Sequence, residues 1–159
     1  MGHTVIQIPV PALELIAQQG VRTPVCPHIT LLGPFVDQHE VDKDLVNTIS
    51  EVLAPVRAFD FQLSDVAHFA ERLIYLAPTP AEPFIRLTEM FSEVFPLWPP
   101  YGGAFDAVVP HLSIGEDLPE TELAALRELL PIRTTANEVT LTWWSEAAAE
   151  VLARFPLSP

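Results

Sequence analysis

Two short segments of this chain repeat the same order of residue types. Residues 27–31 read Pro-His-Ile-Thr-Leu, and residues 110–114 read Pro-His-Leu-Ser-Ile. One copy lies in each half of the 159-residue sequence, and a glycine follows each copy within two residues. The repeat predicts two similar strands, each presenting one imidazole and one hydroxyl to a shared cleft.

Strand geometry explains why these residue types form a unit. Side chains two positions apart in a strand point to the same face. His28 therefore shares a face with Thr30, and His111 shares one with Ser113, while the aliphatic residues between them face a core. Taken alone, either triplet fits an ordinary structural histidine whose neighbouring hydroxyl binds the backbone. The matched flanks in both halves favour a functional site.

The hydrophobic periodicity predicts alternating strands and helices in a single domain spanning residues 1–159. Their order favours an α+β fold with antiparallel sheet over a doubly wound parallel sheet. Residues 147–155 fit either a strand or a short helix, and the strand is preferred. Strands are predicted over Thr4–Ile8, Val25–Leu32, 59–64, Leu73–Leu76, Val108–Ile114, Thr134–Thr142 and Ala147–Phe155, and helices over Ala12–Gln19, Val41–Leu53, Glu82–Phe95 and Pro119–Leu130.

Charge and composition limit the partners of this chain. The net charge is −13, with eight lysines and arginines in total. Stable binding of duplex nucleic acid depends on many basic side chains. We therefore expect no long duplex partner and favour small ligands. No apolar run approaches the ~20 residues of a membrane-spanning helix. The sequence shows no export signal, so we expect no membrane association and a cytoplasmic location.

The paired motifs resemble the 2H phosphoesterase superfamily, typified by bacterial RNA 2′,5′-ligases and 2′,3′-cyclic phosphodiesterases. The resemblance extends over nearly the whole chain and includes the region from Phe59 to Phe95. It implies a bilobal α+β fold with a pseudo-twofold axis, in which two mainly antiparallel sheets line a central groove and the helices lie outside. It also implies a small nucleotide or an RNA end as substrate. The acidic composition departs from what tRNA or long-RNA binding would require.

The residue types fit metal-independent hydrolysis of a 2′,3′-cyclic phosphate or a 2′,5′-phosphodiester. His28 and His111 would act as general acid and base, because imidazole titrates near neutrality. Thr30 and Ser113 would donate hydrogen bonds to the phosphate oxygens. The five histidines show no zinc-site spacing, so no metal or other cofactor is expected. Which histidine is the base stays open.

Other residues near the motifs are weaker candidates. Tyr101, in a proline-rich loop before the second motif, fits either a groove cover or an ordinary turn. His68, at the end of a strand, is a possible groove residue. Cys26 is the only cysteine, and a small buried role is preferred to nucleophilic catalysis. Trp143 and Trp144 should face opposite sides of a strand, with one of them buried.

Three alternatives remain open from the sequence. The same groups would also serve RNA ligation through a 2′,5′ bond. A non-catalytic nucleotide-binding module on the same fold is a second alternative, and an interaction domain with a coincidental repeat is a third. A monomer is expected, because a bilobal fold already supplies both half-sites.

Overall fold

The structure is a computed structural model that describes residues 2–17, 24, 26–69, 72–103, 108–146 and 148–159. These residues form two four-stranded sheets with helices packed outside them. The strands are β1 (His3–Pro9), β2 (His28–Leu32), β3 (Phe59–His68), β4 (Leu73–Thr79), β5 (Leu112–Glu116), β6 (Ile132–Ala136), β7 (Glu138–Trp144) and β8 (Ala149–Pro156). The helices are α1 (Glu14–Ala17), α2 (Lys43–Leu53), α3 (Glu82–Val94) and α4 (Glu120–Leu129).

The two sheets have corresponding strand orders. The first runs β2-β1-β7-β8 and the second runs β5-β4-β3-β6, with every neighbouring pair antiparallel. Each motif strand therefore lies at the edge of its own sheet, and β2 contacts β5 where the two sheets meet. This arrangement confirms the predicted bilobal α+β fold, in which the two sheets line a central groove. It also brings the two motifs to the same place.

One hydrophobic core joins both sheets to the helices. It includes Ile29 and Leu31 of β2 and Leu112 and Ile114 of β5, all at most 4% exposed. Helix α3 packs against β2 and contributes Phe84 and other buried side chains along one stripe. The aliphatic positions of both motifs thus anchor the strands, and their polar positions face away from the core.

The stretch from Thr134 to Thr142 corrects one prediction. The sequence predicts a single strand here, but β6 ends at Ala136 and β7 begins at Glu138, and the two strands belong to different sheets. Both halves alternate in the same way, so local periodicity does not reveal the change of sheet at Asn137. The last segment is a strand, β8, as preferred.

Other element boundaries also differ from the predictions. The first motif strand, predicted over Val25–Leu32, begins at His28. The predicted helix Ala12–Gln19 is a 3-10 turn over Pro11–Leu13 followed by α1, and its last two residues lie outside the described part of the chain. The second motif strand begins at Leu112, one residue after His111.

Among the described residues, no helix combines the length and apolar character that crossing a membrane would require.

Candidate active site

The first motif lies on β2 with the predicted alternation. Ile29 and Leu31 are buried, whereas His28 and Thr30 are half-buried on the opposite face. In the antiparallel pairing with β1, His28 lies opposite Pro9 and Thr30 lies opposite Gln7. The imidazole and the hydroxyl therefore share one face of the first sheet.

The second motif repeats the burial alternation on β5, from Leu112 to Ile114. Leu112 and Ile114 are buried, and Ser113 is half-buried opposite Tyr75 of β4. His111 precedes the strand, and its ring lies 5.5 Å from the Tyr75 ring, measured between centroids. His111 and Ser113 therefore both lie beside Tyr75.

Both imidazoles are held by the same local hydrogen bond. His28 Nδ1 lies 3.1 Å from the carbonyl oxygen of Cys26, and His111 Nδ1 lies 2.7 Å from the carbonyl oxygen of Val109. A carbonyl oxygen only accepts hydrogen bonds, so Nδ1 carries the proton in each ring. In the neutral form Nε2 is then the basic nitrogen. The two copies of the motif thus present the same tautomer.

Different aromatic side chains contact the two histidines. The Trp144 ring lies 4.9 Å from the His28 ring at an interplanar angle of 37°. His111 is stacked against Tyr101, with centroids 5.7 Å apart and an angle of 24°, and it meets Phe69 edge to face at 5.0 Å. Each imidazole is therefore restricted at one ring edge and on at least one ring face.

Burial lowers the pKa of both imidazoles below the ordinary value of 6.5. For His28, desolvation is the largest cause, the hydrogen bond to Cys26 opposes it, and the charge of His111 lowers the pKa further. For His111, desolvation outweighs the hydrogen bond to Val109. In both rings the loss of water therefore favours the neutral form of the imidazole in the free protein.

Tyr101 comes from a turn over Pro100–Gly103 and connects the two motifs. Its backbone N–H donates to the carbonyl oxygen of Gly33, 2.8 Å away, just after β2, while its ring covers His111. Its φ of 54° lies in the left-handed region, which non-glycine residues seldom occupy. Burial raises the pKa of its phenol to about 12. The structure therefore places this predicted candidate beside the second motif.

His68 does not share the groove face with the second motif. It pairs with Ile74 of β4, whereas its neighbour Ala67 pairs with Tyr75. His68 therefore lies on the face of β3 opposite to Tyr75 and Ser113, because neighbouring residues of a strand alternate between faces. We exclude it from the groove.

Cys26 and the two neighbouring tryptophans also differ from their predictions. The sequence favours a buried cysteine, but Cys26 is exposed, with a φ of 51°. Its carbonyl, rather than its thiol, contacts His28. Trp143 and Trp144 are both half-buried, so the prediction that one of them is buried is wrong.

Sequence reasoning missed three residues that contact the site or support it. Phe69 and Tyr75 surround His111, and Gln7 accepts a hydrogen bond from Trp144. The sequence does distinguish Gln7, because it is a polar residue in the otherwise apolar run Val5–Ile8. Within the ranges that the structure describes, no three His, Cys, Asp or Glu side chains are grouped closely enough to hold a metal ion.

Curated relatives of similar sequence include proteins of Bacillus species. A protein of Bacillus thuringiensis (strain Al Hakam) named "Putative phosphoesterase" is 35% identical over 104 residues, and a Bacillus cereus (strain AH187) protein of the same description matches equally well. Each alignment covers 63% of this chain and 57% of the relative. The chain thus aligns with little more than half the length of these relatives.

Solved structures share the fold over the whole chain. TT0787 of Thermus thermophilus superimposes with a TM-score of 0.69 at 17% identity, covering 99% of this chain and 98% of that one. Escherichia coli LigT complexed with 3′-AMP gives a TM-score of 0.61 at 18% identity, covering 99% of both chains. The sequence model of the 2′-5′ RNA ligase superfamily matches residues 14–148. The chain therefore belongs to the 2′-5′ RNA ligase superfamily.

Proposed function

We propose that this protein is a metal-independent phosphoesterase that hydrolyses a 2′,3′-cyclic phosphate, on a nucleotide or an RNA end, or a 2′,5′-phosphodiester. The observation that carries the proposal is the matched pair of histidines. His28 and His111 stand at the adjoining edges of two sheets, and each donates its Nδ1 proton to a carbonyl. Two basic Nε2 atoms remain for proton transfer.

The chemistry requires one neutral and one protonated imidazole. The neutral Nε2 takes a proton from the attacking water as its oxygen bonds to phosphorus. The protonated Nε2 gives its proton to the ribose oxygen as the P–O bond of the ring breaks. Burial favours the neutral form of both rings in the free protein, so the bound substrate must favour protonation of the ring that acts as the acid. A phosphate anion favours this step because an opposite charge nearby raises an imidazole pKa.

The motif hydroxyls complete the reaction site. Thr30 and Ser113 lie two residues after the histidines, and they pair with Gln7 and with Tyr75 on the neighbouring strands. Hydroxyl donors aimed at non-bridging oxygens stabilise the charge that develops on them in the transition state. The Thr30 hydroxyl would bind the phosphate from one lobe, and the Ser113 hydroxyl would bind it from the other.

A small nucleotide or an RNA end suits the charge of the chain. A net charge of −13 disfavours a long polyanion, whereas one phosphate needs only local neutralisation. The LigT structures that share this fold were determined with 3′-AMP and with ATP. Nucleotides of that size are therefore the first substrates to test.

Two alternatives use the same groove. RNA ligation through a 2′,5′ bond is the reverse of hydrolysis and needs the same acid and base. The family to which the chain belongs carries that activity in its description. A non-catalytic nucleotide-binding module would keep the groove without needing two matched imidazoles.

The test is hydrolysis of the four nucleoside 2′,3′-cyclic monophosphates in the presence of EDTA. Wild type is compared with His28→Ala and His111→Ala, and His39→Ala, at an exposed histidine, serves as the control. We expect turnover to a single monophosphate isomer, lost in both motif variants and retained in the control. Activity that survives either motif substitution contradicts the mechanism. Nucleotide binding by folded wild type without turnover would favour the binding module.

A further inference from the structure

Gln7 is a buried carboxamide at the centre of the first sheet. It is 3% exposed, and its neighbours Ile6 and Ile8 are fully buried. A carboxamide in such a place is unfavourable unless it forms hydrogen bonds, since it has lost its contact with water. The hydrogen-bond partner of Gln7 therefore explains how this side chain is accommodated.

The strand register places Gln7 on the catalytic face. It pairs with Thr30 of β2 on one side and with Thr140 of β7 on the other. Trp144 lies four residues after Thr140 on the same strand, so it belongs to the same face. The indole Nε1–H of Trp144 donates to Gln7 Oε1 at 2.8 Å.

The indole held by this bond lies against the first catalytic histidine. The rings of Trp144 and His28 have centroids 4.9 Å apart. The Cys26 carbonyl fixes one edge of the imidazole, and the indole limits rotation on its face. A continuous chain of contacts therefore runs from Gln7 through Trp144 to His28.

We propose that Gln7 and Trp144 are positioning residues for His28, acting through the indole hydrogen bond to hold the imidazole in its proton-transfer orientation. The expected kinetic effect rests on the proposed function, whereas the contacts among Gln7, Trp144 and His28 do not depend on it. It concerns one histidine only, because Tyr101, Phe69 and Tyr75 contact His111. The two halves of the site would thus be supported by unrelated residues.

Two substitutions remove the donor and the acceptor of the indole hydrogen bond one at a time. Trp144→Phe keeps an aromatic ring beside His28 but removes the N–H donor, and Gln7→Met keeps the side-chain length but removes the acceptor. Trp143→Phe is the matched control, because this neighbouring tryptophan faces the other side of β7. Circular dichroism and a dispersed NMR spectrum verify that each variant is folded. If Gln7→Met does not fold, Trp144→Phe alone tests the proposal.

The kinetic readout is kcat and KM for the cyclic nucleotide that wild type hydrolyses. We expect kcat to fall about tenfold in both variants, because a misdirected proton donor or acceptor slows the chemical step. KM should change little, since orientation of the base or acid acts on the transition state. The double variant should lose no more than either single one, because both remove the same hydrogen bond.

An NMR readout distinguishes this proposal from the function on which it rests. The His28 ring signals should shift in free Gln7→Met, which keeps the indole beside His28, while the His111 signals and the Trp143→Phe spectrum stay close to wild type. Unchanged His28 signals, or additive losses of kcat, overturn the positioning role. A wild type without phosphoesterase activity overturns the proposed function instead, and the His28 signals then decide the positioning role by themselves.

Discussion

Tyr101 stacks on the imidazole of His111, with ring centroids 5.7 Å apart, while its own backbone N–H binds the carbonyl of Gly33 beyond the first motif. One residue therefore links the second copy of the repeat to the segment that follows the first copy. Its left-handed backbone, at φ 54°, is followed by left-handed Gly102 and Gly103. Such backbone geometry persists where surrounding contacts impose it, and it often marks a functional site.

The first prediction concerns the Tyr101 ring. Tyr101→Ala should lower kcat/KM by about tenfold, because the uncovered His111 loses its orientation. The pKa of His111 should rise towards its ordinary value, since water then reaches the ring. Steady-state kinetics and NMR titration of the histidine ring protons measure the two effects. Tyr101→Phe retains the stacked ring and should lose less activity; equal losses in both variants would assign the effect to the hydroxyl.

The second prediction is an acidic pH optimum. The active free protein carries one proton on the pair His28 and His111, so kcat/KM should follow a bell-shaped curve. Both pKa values are lowered from 6.5, which places the maximum below pH 6.5. Measuring kcat/KM across the acidic and neutral pH range at constant ionic strength checks this. A maximum on the alkaline side of neutrality would contradict the proposed roles of the two buried histidines.

The third prediction concerns the motif hydroxyls. Thr30→Val and Ser113→Ala should each lower kcat by about a hundredfold, because each removes one hydrogen-bond donor to the phosphate in the transition state. Thr30→Ser and Ser113→Thr keep the hydroxyl and serve as matched controls that should stay within about tenfold of wild type. Kinetics of all four variants provide the measurement. Valine or alanine variants as active as their controls would exclude a role for the hydroxyls.

The fourth prediction concerns the support of the first motif strand. Leu31 is the extra residue where the register between β1 and β2 shifts, and its carbonyl accepts a hydrogen bond from the Thr88 hydroxyl of α3 at 2.8 Å. Thr88→Val leaves that buried carbonyl without this donor and should lower the free energy of unfolding by about 1–3 kcal/mol. Urea denaturation measures the change, and Thr88→Ser is the control. A stability equal to wild type would show that the bulge needs no support from α3.

Local patterns in the sequence predicted most of the secondary structure and the two motif histidines. The alternation of buried and half-buried residues from His28 to Leu31 follows from the two-residue period of a strand. The same periodicity did not predict the break between β6 and β7 at Asn137, because it does not specify which sheet a strand joins. It also gave no reason to exclude His68, whose face depends on the register with β4.

The sequence by itself determined that two matched imidazole and hydroxyl pairs exist, and that the pair of the first motif lies on one face of a strand. The backbone carbonyls two residues before His28 and His111 are equally local features of the chain. Only the tertiary structure decided which side chains surround the two rings. Trp144 and Gln7 meet across 137 positions of sequence, and such contacts depend on strand order and register. Strand order and register follow from the packing of whole sheets, so they cannot be predicted from any short segment of the sequence.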